Sequence, residues 1–245
     1  MLTLATWNIH RCIGADGEYR PDRIRDVLRS LDADLVALQE VERFRHDPEL
    51  LDFLCEGSDW TPVSGVTLER ESGAYGNALL CRFPRRHLCR HDISVGMQEP
   101  RGVIDLVCDA PASAGFRSVR VLATHLGLGM VERRRQLTRL HELVREQPGG
   151  PAVDLTVLMG DLNEWLPGSR SLRRLRQAFL PHASPRSFPA RRPWFALDRI
   201  WVRGDIGSFE VRAIRTPETR LASDHLPLSA RVGPALRGAS GSGRR

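Results

Sequence analysis

The sequence predicts one α/β domain in which two packed sheets carry helices on their outer faces. Three observations lead there. Strand-like apolar runs alternate with amphipathic helical segments. Several strand-like runs follow one another in the middle of the chain without a helix between them. No internal repeat and no Pro/Gly/Ser-rich linker divides the 245 residues into two units, and that length suffices for one sizeable core.

The elements follow in order. Leu2 to Asn8 reads as a first strand. Pro21 can open a helix at its first position, with Asp22 in the first turn. Ile24, Val27, Leu28 and Leu31 then fall at i, i+3, i+4 and i+7, on one apolar face. Asp32-Ala33-Asp34 ends that helix, and Leu35 to Leu38 is a continuous apolar run, as in a strand buried on both faces. A short helix is expected over 47–57. Ala78–Cys81, Leu88–Val95, Val103–Cys108 and Ser118–Thr124 read as successive strands. A helix over about 131–146, with Leu137, Leu140 and Val144 on one face, is stopped by Pro148-Gly149-Gly150-Pro151. Asp154–Met159 is a buried strand, Ser169–Ala178 a short basic helix, and 181–196 a proline-rich loop. Leu197–Val202, Phe209–Ile214 and Leu228–Val232 complete the strands. The domain is expected to span 1–232. From Gly233 onward the Gly, Ser, Ala and Arg content predicts a disordered tail, residues 233–245, that is dispensable.

Composition narrows the class. At 41% hydrophobic and 27% charged residues the chain is globular, and no apolar run approaches the ~18 residues of a membrane span. Met1 to Trp7 lacks the basic start and long apolar core of a signal peptide, so a cytoplasmic protein is expected. Five cysteines at 12, 55, 81, 89 and 108, with no Cys-x-x-Cys pair, argue against a disulfide framework or a zinc site and fit a reducing compartment. The net charge of +6 is carried entirely by arginine over acid, with no lysine anywhere. That pattern reads as codon bias rather than as selection for nucleic acid.

The informative feature is a polar residue at the end of strand after strand. Asn8 closes the first strand, Glu40 the second and His125 a middle one; Gly160-Asp161-Leu162-Asn163 closes another. Asp198 begins a late strand, and Asp224-His225 precedes the last. Each has a plain alternative: a solvated carboxylate, a simple turn, a core histidine. Together they supply six oxygen donors, Asn8, Glu40, Asp161, Asn163, Asp198 and Asp224, which suit a hard cation such as Mg²⁺. His125 and His225 can bind or protonate phosphate oxygens.

Thr6-Trp7-Asn8, Leu38-Gln39-Glu40, Thr124-His125-Leu126, Gly160-Asp161-Leu162-Asn163, Leu197-Asp198-Arg199-Ile200 and Ser223-Asp224-His225 resemble, in this order, the motifs of the endonuclease/exonuclease/phosphatase superfamily. The resemblance runs from about residue 2 to 232. Glu99-Pro100-Arg101-Gly102, Glu132 to Gln136 and Phe188-Pro189-Ala190 look like those of its small bacterial members. It implies a four-layer α/β/β/α sandwich and Mg²⁺-assisted hydrolysis of a phosphate ester by in-line attack of water, with Mn²⁺ as a substitute. By the resemblance, Glu40, Asn8 and Asp224 are the metal residues. Asp161 orients or deprotonates the water, and Asn163 holds a phosphate oxygen. His225 steadies the scissile phosphate with Asp198 fixing its ring. His125 is a second phosphate histidine or the acid for the leaving group, and Arg101 a further phosphate contact.

The substrate stays open at this level. Little length is spare for the DNA-gripping loops of the abasic-site nucleases, the lysine-bearing segments of the 5-phosphatases are missing, and no long apolar insertion of the kind a lipid-docking sphingomyelinase uses is visible. Arg186, Phe188, Arg191, Arg192, Trp194 and Phe195 could grip single-stranded nucleic acid, cover a sheet edge or receive a lipid headgroup. The expected activity is a phosphodiesterase on a small or lipid-derived ester. The alternatives are a DNA or RNA nuclease, a phosphomonoesterase, and a binding module without catalysis. A monomer is expected.

Overall fold

The computed structural model describes residues 1–44, 49–71, 73–146, 152–166 and 168–235. Eleven strands form two mixed sheets among them. Strands β1 (Leu2–Asn8), β2 (Leu35–Phe44), β3 (Thr61–Arg70), β4 (Gly73–Cys81), β10 (Ile206–Ala213) and β11 (Leu228–Pro234) make the first, in the order β10-β11-β1-β2-β4-β3. Strands β5 (Arg85–Asp92), β6 (Gly102–Asp109), β7 (Ser118–His125), β8 (Leu155–Asp161) and β9 (Asp198–Gly204) make the second, in sequence order.

The period-two alternation of each strand sorts its side chains between two cores. Leu2, Leu4, Leu35 and Ala37 face inward, where they meet Val119, Val121, Val157 and Met159 of the opposite sheet. Ala5, Trp7, Val36 and Leu38 face outward beneath α1 (Pro21–Leu31) and α2 (Leu50–Cys55). On the far side, Leu122, Leu158 and Trp201 lie beneath α3 (Met130–Arg145) and α4 (Arg170–Arg176). The layers are therefore α/β/β/α, as expected. No described helix is long and apolar enough to cross a membrane.

Several expectations need correction. β3 has no counterpart among the expected strands, because it is a largely half-buried edge strand of mixed composition. β4 starts at Gly73, five residues before its apolar run, since its first half pairs with the bulged end of β2. β5 is shifted three residues toward the N-terminus, to 85–92, and is the exposed edge of the second sheet. A short α5 (Pro217–Ala222), capped by Thr216, lies in a stretch without apolar periodicity. α2 covers 50–55; the expected start at 47 lies outside the described residues. The expected domain boundary at Gly233 falls early. Ser208 pairs with Gly233 and Ile206 with Pro234, and the Ala235 N–H donates to the Asp205 carbonyl at 3.2 Å. The rest of the expected tail lies outside the described residues.

One buried ion pair ties the second sheet to its helix. Arg120 of β7 donates to both oxygens of Asp105 at 2.9 and 2.6 Å, and to the Leu143 and Glu146 carbonyls at the end of α3. Its charge so satisfies carbonyls left over at a helix C-terminus. Removing one partner of such a pair strands the other. Arg120→Ala should lower stability by about 3–5 kcal/mol, and Arg120→Met with Asp105→Leu should recover most of it; urea unfolding of the three proteins checks this.

Candidate active site

The site forms where the inner faces of the two sheets end together. Asn8 is the last residue of β1 and points between the sheets. Glu40 follows it one strand over, but by alternation it belongs on the outer face with Val36 and Leu38. A bulge corrects this. Leu38 pairs with Ala78 and Val41 with Gly76, so β2 holds one extra residue, and Glu40 takes a left-handed φ of 54°. The bulge turns the carboxylate inward, where the Asn8 Nδ2 donates to Oε1 at 2.9 Å.

The second sheet contributes three residues in register. His125 pairs with Asp161, and Asp161 with Asp198, on neighbouring strands. Gly160 lets β8 turn there: its φ is 143°, and a Cβ would sit 1.8 Å from the Thr124 carbonyl oxygen. Asp161 accepts from the Asn163 N–H at 2.8 Å on Oδ1 and from the Asn8 Nδ2 at 3.2 Å on Oδ2. Asn163, itself left-handed at φ 48°, donates to the Leu126 carbonyl at 2.9 Å and lies 3.0 Å from His125 Nε2.

His225 reaches the same point from the loop before β11. Its Nδ1 is 2.9 Å from Asp198 Oδ2, and its Nε2 is 3.7 Å from Asp161 Oδ2. Its carbonyl accepts from the Trp7 indole at 2.8 Å. Ser223 Oγ accepts the His225 N–H and donates to the Asn8 carbonyl. The Phe188 ring lies 4.7 Å away, and Ser187 donates to the same Asp198 oxygen, Oδ2.

Electrostatics separates the two histidines. Burial opposes a charge on His225, but Asp198 and Asp161 outweigh it and push its pKa up to about 10. His125 is driven down to about 3, chiefly by burial and against the pull of Asp161. Glu40 is raised by burial, opposed by its Asn8 hydrogen bond and reinforced by Asp224.

Of the expected site residues, Glu40, Arg101, His125, Asp161, Asn163, Asp224 and His225 line one cleft of about 490 Å³. Asn8 and Asp198 stand directly behind it, bonded to its lining. Tyr75, Trp165 and the hydroxyl donor Ser187 lie in no distinctive sequence pattern and were not expected here. The sequence reading also missed Arg11, which a run of three left-handed residues, His10 to Cys12, places at the cleft. Glu132 and Gln136 find a role as braces. Gln136 accepts from the Gly127 N–H at 2.9 Å, Glu132 accepts from the Gly129 N–H, and the two side chains bond to each other at 3.0 Å. They shape the loop at the cleft wall, and a Cβ on Gly127 would overlap the Glu132 carboxylate.

The donors suit a hard cation. Glu40 is a half-buried carboxylate whose hydrogen-bond partner is a neutral amide, with the further negative charge of Asp224 acting on it. A cation would relieve both. Asp161, Asp198 and His225 also offer ligand atoms within 4.8 Å of one another, but Nδ1 of His225 is held by Asp198. That trio reads better as an oriented acid–base group than as a metal cage.

A model of the endonuclease/exonuclease/phosphatase family matches residues 5–225. The chain belongs to this family. Its members are hydrolases of phosphoester bonds, typically dependent on a divalent metal. An Escherichia coli K12 protein described as uncharacterized, YbhP, is 31% identical, with 93% of this chain and 94% of that protein covered. Among solved structures, a family protein from Beutenbergia cavernae superposes with a TM-score of 0.71 at 22% identity, over 95% of this chain and 72% of that one. A mannosyl-6-phosphatase from Bacteroides thetaiotaomicron gives 0.70 at 19% identity, over 95% and 99%. At these identities the structural matches establish the fold.

Glu40→Gln should weaken Mn²⁺ or Mg²⁺ binding by at least about tenfold, because a formal charge leaves the donor set. In EDTA the same variant should melt no lower than the parent, since burial already disfavours the carboxylate. Calorimetric titration and a thermal melt check the two halves.

Proposed function

We propose that the protein hydrolyses a phosphodiester by in-line attack of water, assisted by bound Mg²⁺, for which Mn²⁺ can substitute. The observation that carries this reading is the position of Asp161. One of its oxygens lies 3.6 Å from neutral His125 and 3.7 Å from cationic His225, on a strand whose neighbours supply both His125 and Asp198.

Asp161 orients the water and takes its proton on a carboxylate oxygen. His225, kept charged and aimed by Asp198, holds a phosphoryl oxygen as negative charge grows there. Asn163 and Arg101 hold further phosphate oxygens. The depressed pKa of His125 and its contact with Asn163 support a hydrogen-bonding part rather than proton donation to the leaving group. Glu40 would hold the metal, with Asn8 orienting its carboxylate and Asp224 adding charge. A divalent cation supplies Lewis-acid charge against the anionic ester.

A diester is favoured over a monoester by the charge of the cleft. Arg101 is paired with Glu99 at 2.7 Å, Arg70 with Glu99 at 3.8 Å and Arg11 with Glu42 at 4.0 Å. His225 is likewise paired with Asp198 at 2.9 Å, so the protein offers little net positive charge in the cleft, which suits a monoanionic diester better than a dianionic monoester, the class named for the Bacteroides neighbour.

Turnover of bis-p-nitrophenyl phosphate should require Mg²⁺ or Mn²⁺ and vanish in EDTA; full turnover in EDTA, or rescue by Zn²⁺ alone, refutes the reading. Asp161→Asn keeps the size of the side chain but loses the base. It should lower kcat by ~10²–10⁴-fold, with KM little changed and the fold intact. Steady-state kinetics at saturating metal, with a thermal melt alongside, decide; near-normal turnover in a folded variant removes Asp161 from the role of base.

A further inference from the structure

Exposed apolar side chains are unevenly spread over this protein. Among the described residues ten large hydrophobic side chains are exposed; Leu128 lines the cleft, and six others each adjoin a cleft-lining residue in sequence or by direct contact. Scattered single hydrophobics need no explanation, whereas a concentration around a site marks an interaction surface. Leu128 lines the cleft, with Met130 and Val131 just beyond Gly129. Met97 adjoins Gln98 on another wall, and Leu166 follows Trp165. Trp194 and Phe195 line a neighbouring pocket that shares Trp165 with the cleft, the Phe195 ring lying 4.9 Å from that of Trp165.

This rim is also basic. Arg134 and Arg135 are exposed one turn beyond Met130 and Val131, on the same side of α3. Arg186, Arg191 and Arg192 are exposed in the loop that carries Trp194. Glu132 and Glu164 beside these side chains are buried, and Glu99, exposed near Met97, is paired with Arg101 and Arg70.

We propose that this rim is a docking surface for an anionic lipid bilayer, which presents a lipid headgroup phosphodiester to the cleft. The substrate half of the proposal rests on the phosphodiesterase reading; the docking half does not. The side-chain chemistry selects a bilayer over a nucleic acid strand. Strand binding uses aromatic faces on which bases stack, but five of the seven side chains are aliphatic. Aliphatic tips enter the boundary between headgroups and acyl chains, a tryptophan is favoured at that depth, and arginines beside them draw in anionic headgroups. The braces from Glu132 and Gln136, and the bonds from Arg133 to the Gly127 and Leu128 carbonyls, hold the α3 side of the rim in place.

Co-sedimentation of the full chain with phosphatidylcholine vesicles, with and without phosphatidylglycerol, tests this. The protein should bind the phosphatidylglycerol vesicles, and added salt should weaken the binding. Met130→Ser with Val131→Ser should lower binding by about tenfold or more. Arg134→Gln with Arg135→Gln should lower it on anionic vesicles alone. Both double variants should keep the parent's melting temperature and its turnover of soluble bis-p-nitrophenyl phosphate. Failure to bind phosphatidylglycerol vesicles, or binding that neither double variant changes, overturns the proposal. So does binding of a single-stranded oligonucleotide that the variants lose, without vesicle binding. Vesicle binding by a protein that never turns over the soluble diester upholds the docking surface and refutes the phosphodiesterase.

Discussion

Asn8 holds the two halves of the site together. Its single amide nitrogen donates to Glu40 in its own sheet and to Asp161 in the opposite sheet, while its Oδ1 accepts from the His10 N–H at 3.0 Å. A sandwich joins its sheets mainly through non-directional apolar packing, which sets their spacing but not the angle of a polar side chain. The Asn8 bonds add direction at the one end where chemistry needs it. Ser223 carries the same constraint onward, since its hydroxyl bonds the Asn8 carbonyl and accepts the His225 N–H. Backbone conformations that ordinary residues avoid surround this link: Glu40, Asn163 and the run from His10 to Cys12 all have positive φ. Such strain persists only where surrounding structure enforces it.

From that frame the two histidines acquire opposite characters. His125 and His225 approach the same oxygen of Asp161 at similar distances. The difference lies behind them. His225 has Asp198 at its other nitrogen, itself bonded by Ser187, whereas the Nδ1 of His125 is buried without a partner. One imidazole is thus held as a cation and the other kept neutral by desolvation. Separating two similar groups by environment is how one site presents both a fixed charge and a neutral hydrogen-bonding ring.

The cleft and its rim use arginine in contrasting ways. Inside, the arginines are matched to glutamates, so the interior selects by geometry more than by gross charge. On the rim, Arg134, Arg135, Arg186, Arg191 and Arg192 are exposed near apolar side chains, while Glu132 and Glu164 are buried. A modest net charge of +6 over the whole chain conceals this segregation.

The sequence alone determined the layered α/β architecture, because alternating and 3.6-residue periodicities report which faces are buried. It also supplied the candidate site residues, since so many polar residues at the ends of apolar strands point to one shared cleft, although Arg11, Tyr75 and Trp165 of that cleft carry no such pattern. Edge strands β3 and β5 were missed or misplaced because half-exposed strands carry weak patterns. The end of β11 was misread because Gly233 and Pro234 resemble a tail until their pairing with β10 is known. What only the tertiary structure decided was relative position. Asp161 comes to lie between His125 and Asp198 through pairing across strands far apart in the chain, and Glu40 faces inward through a one-residue bulge opposite Asn77. The clustering of exposed apolar side chains at the cleft mouth was equally hidden, because Met97, Leu128, Leu166 and Trp194 are separated in sequence. Register, bulges and surface neighbourhoods are set by long-range packing, which local patterns do not encode.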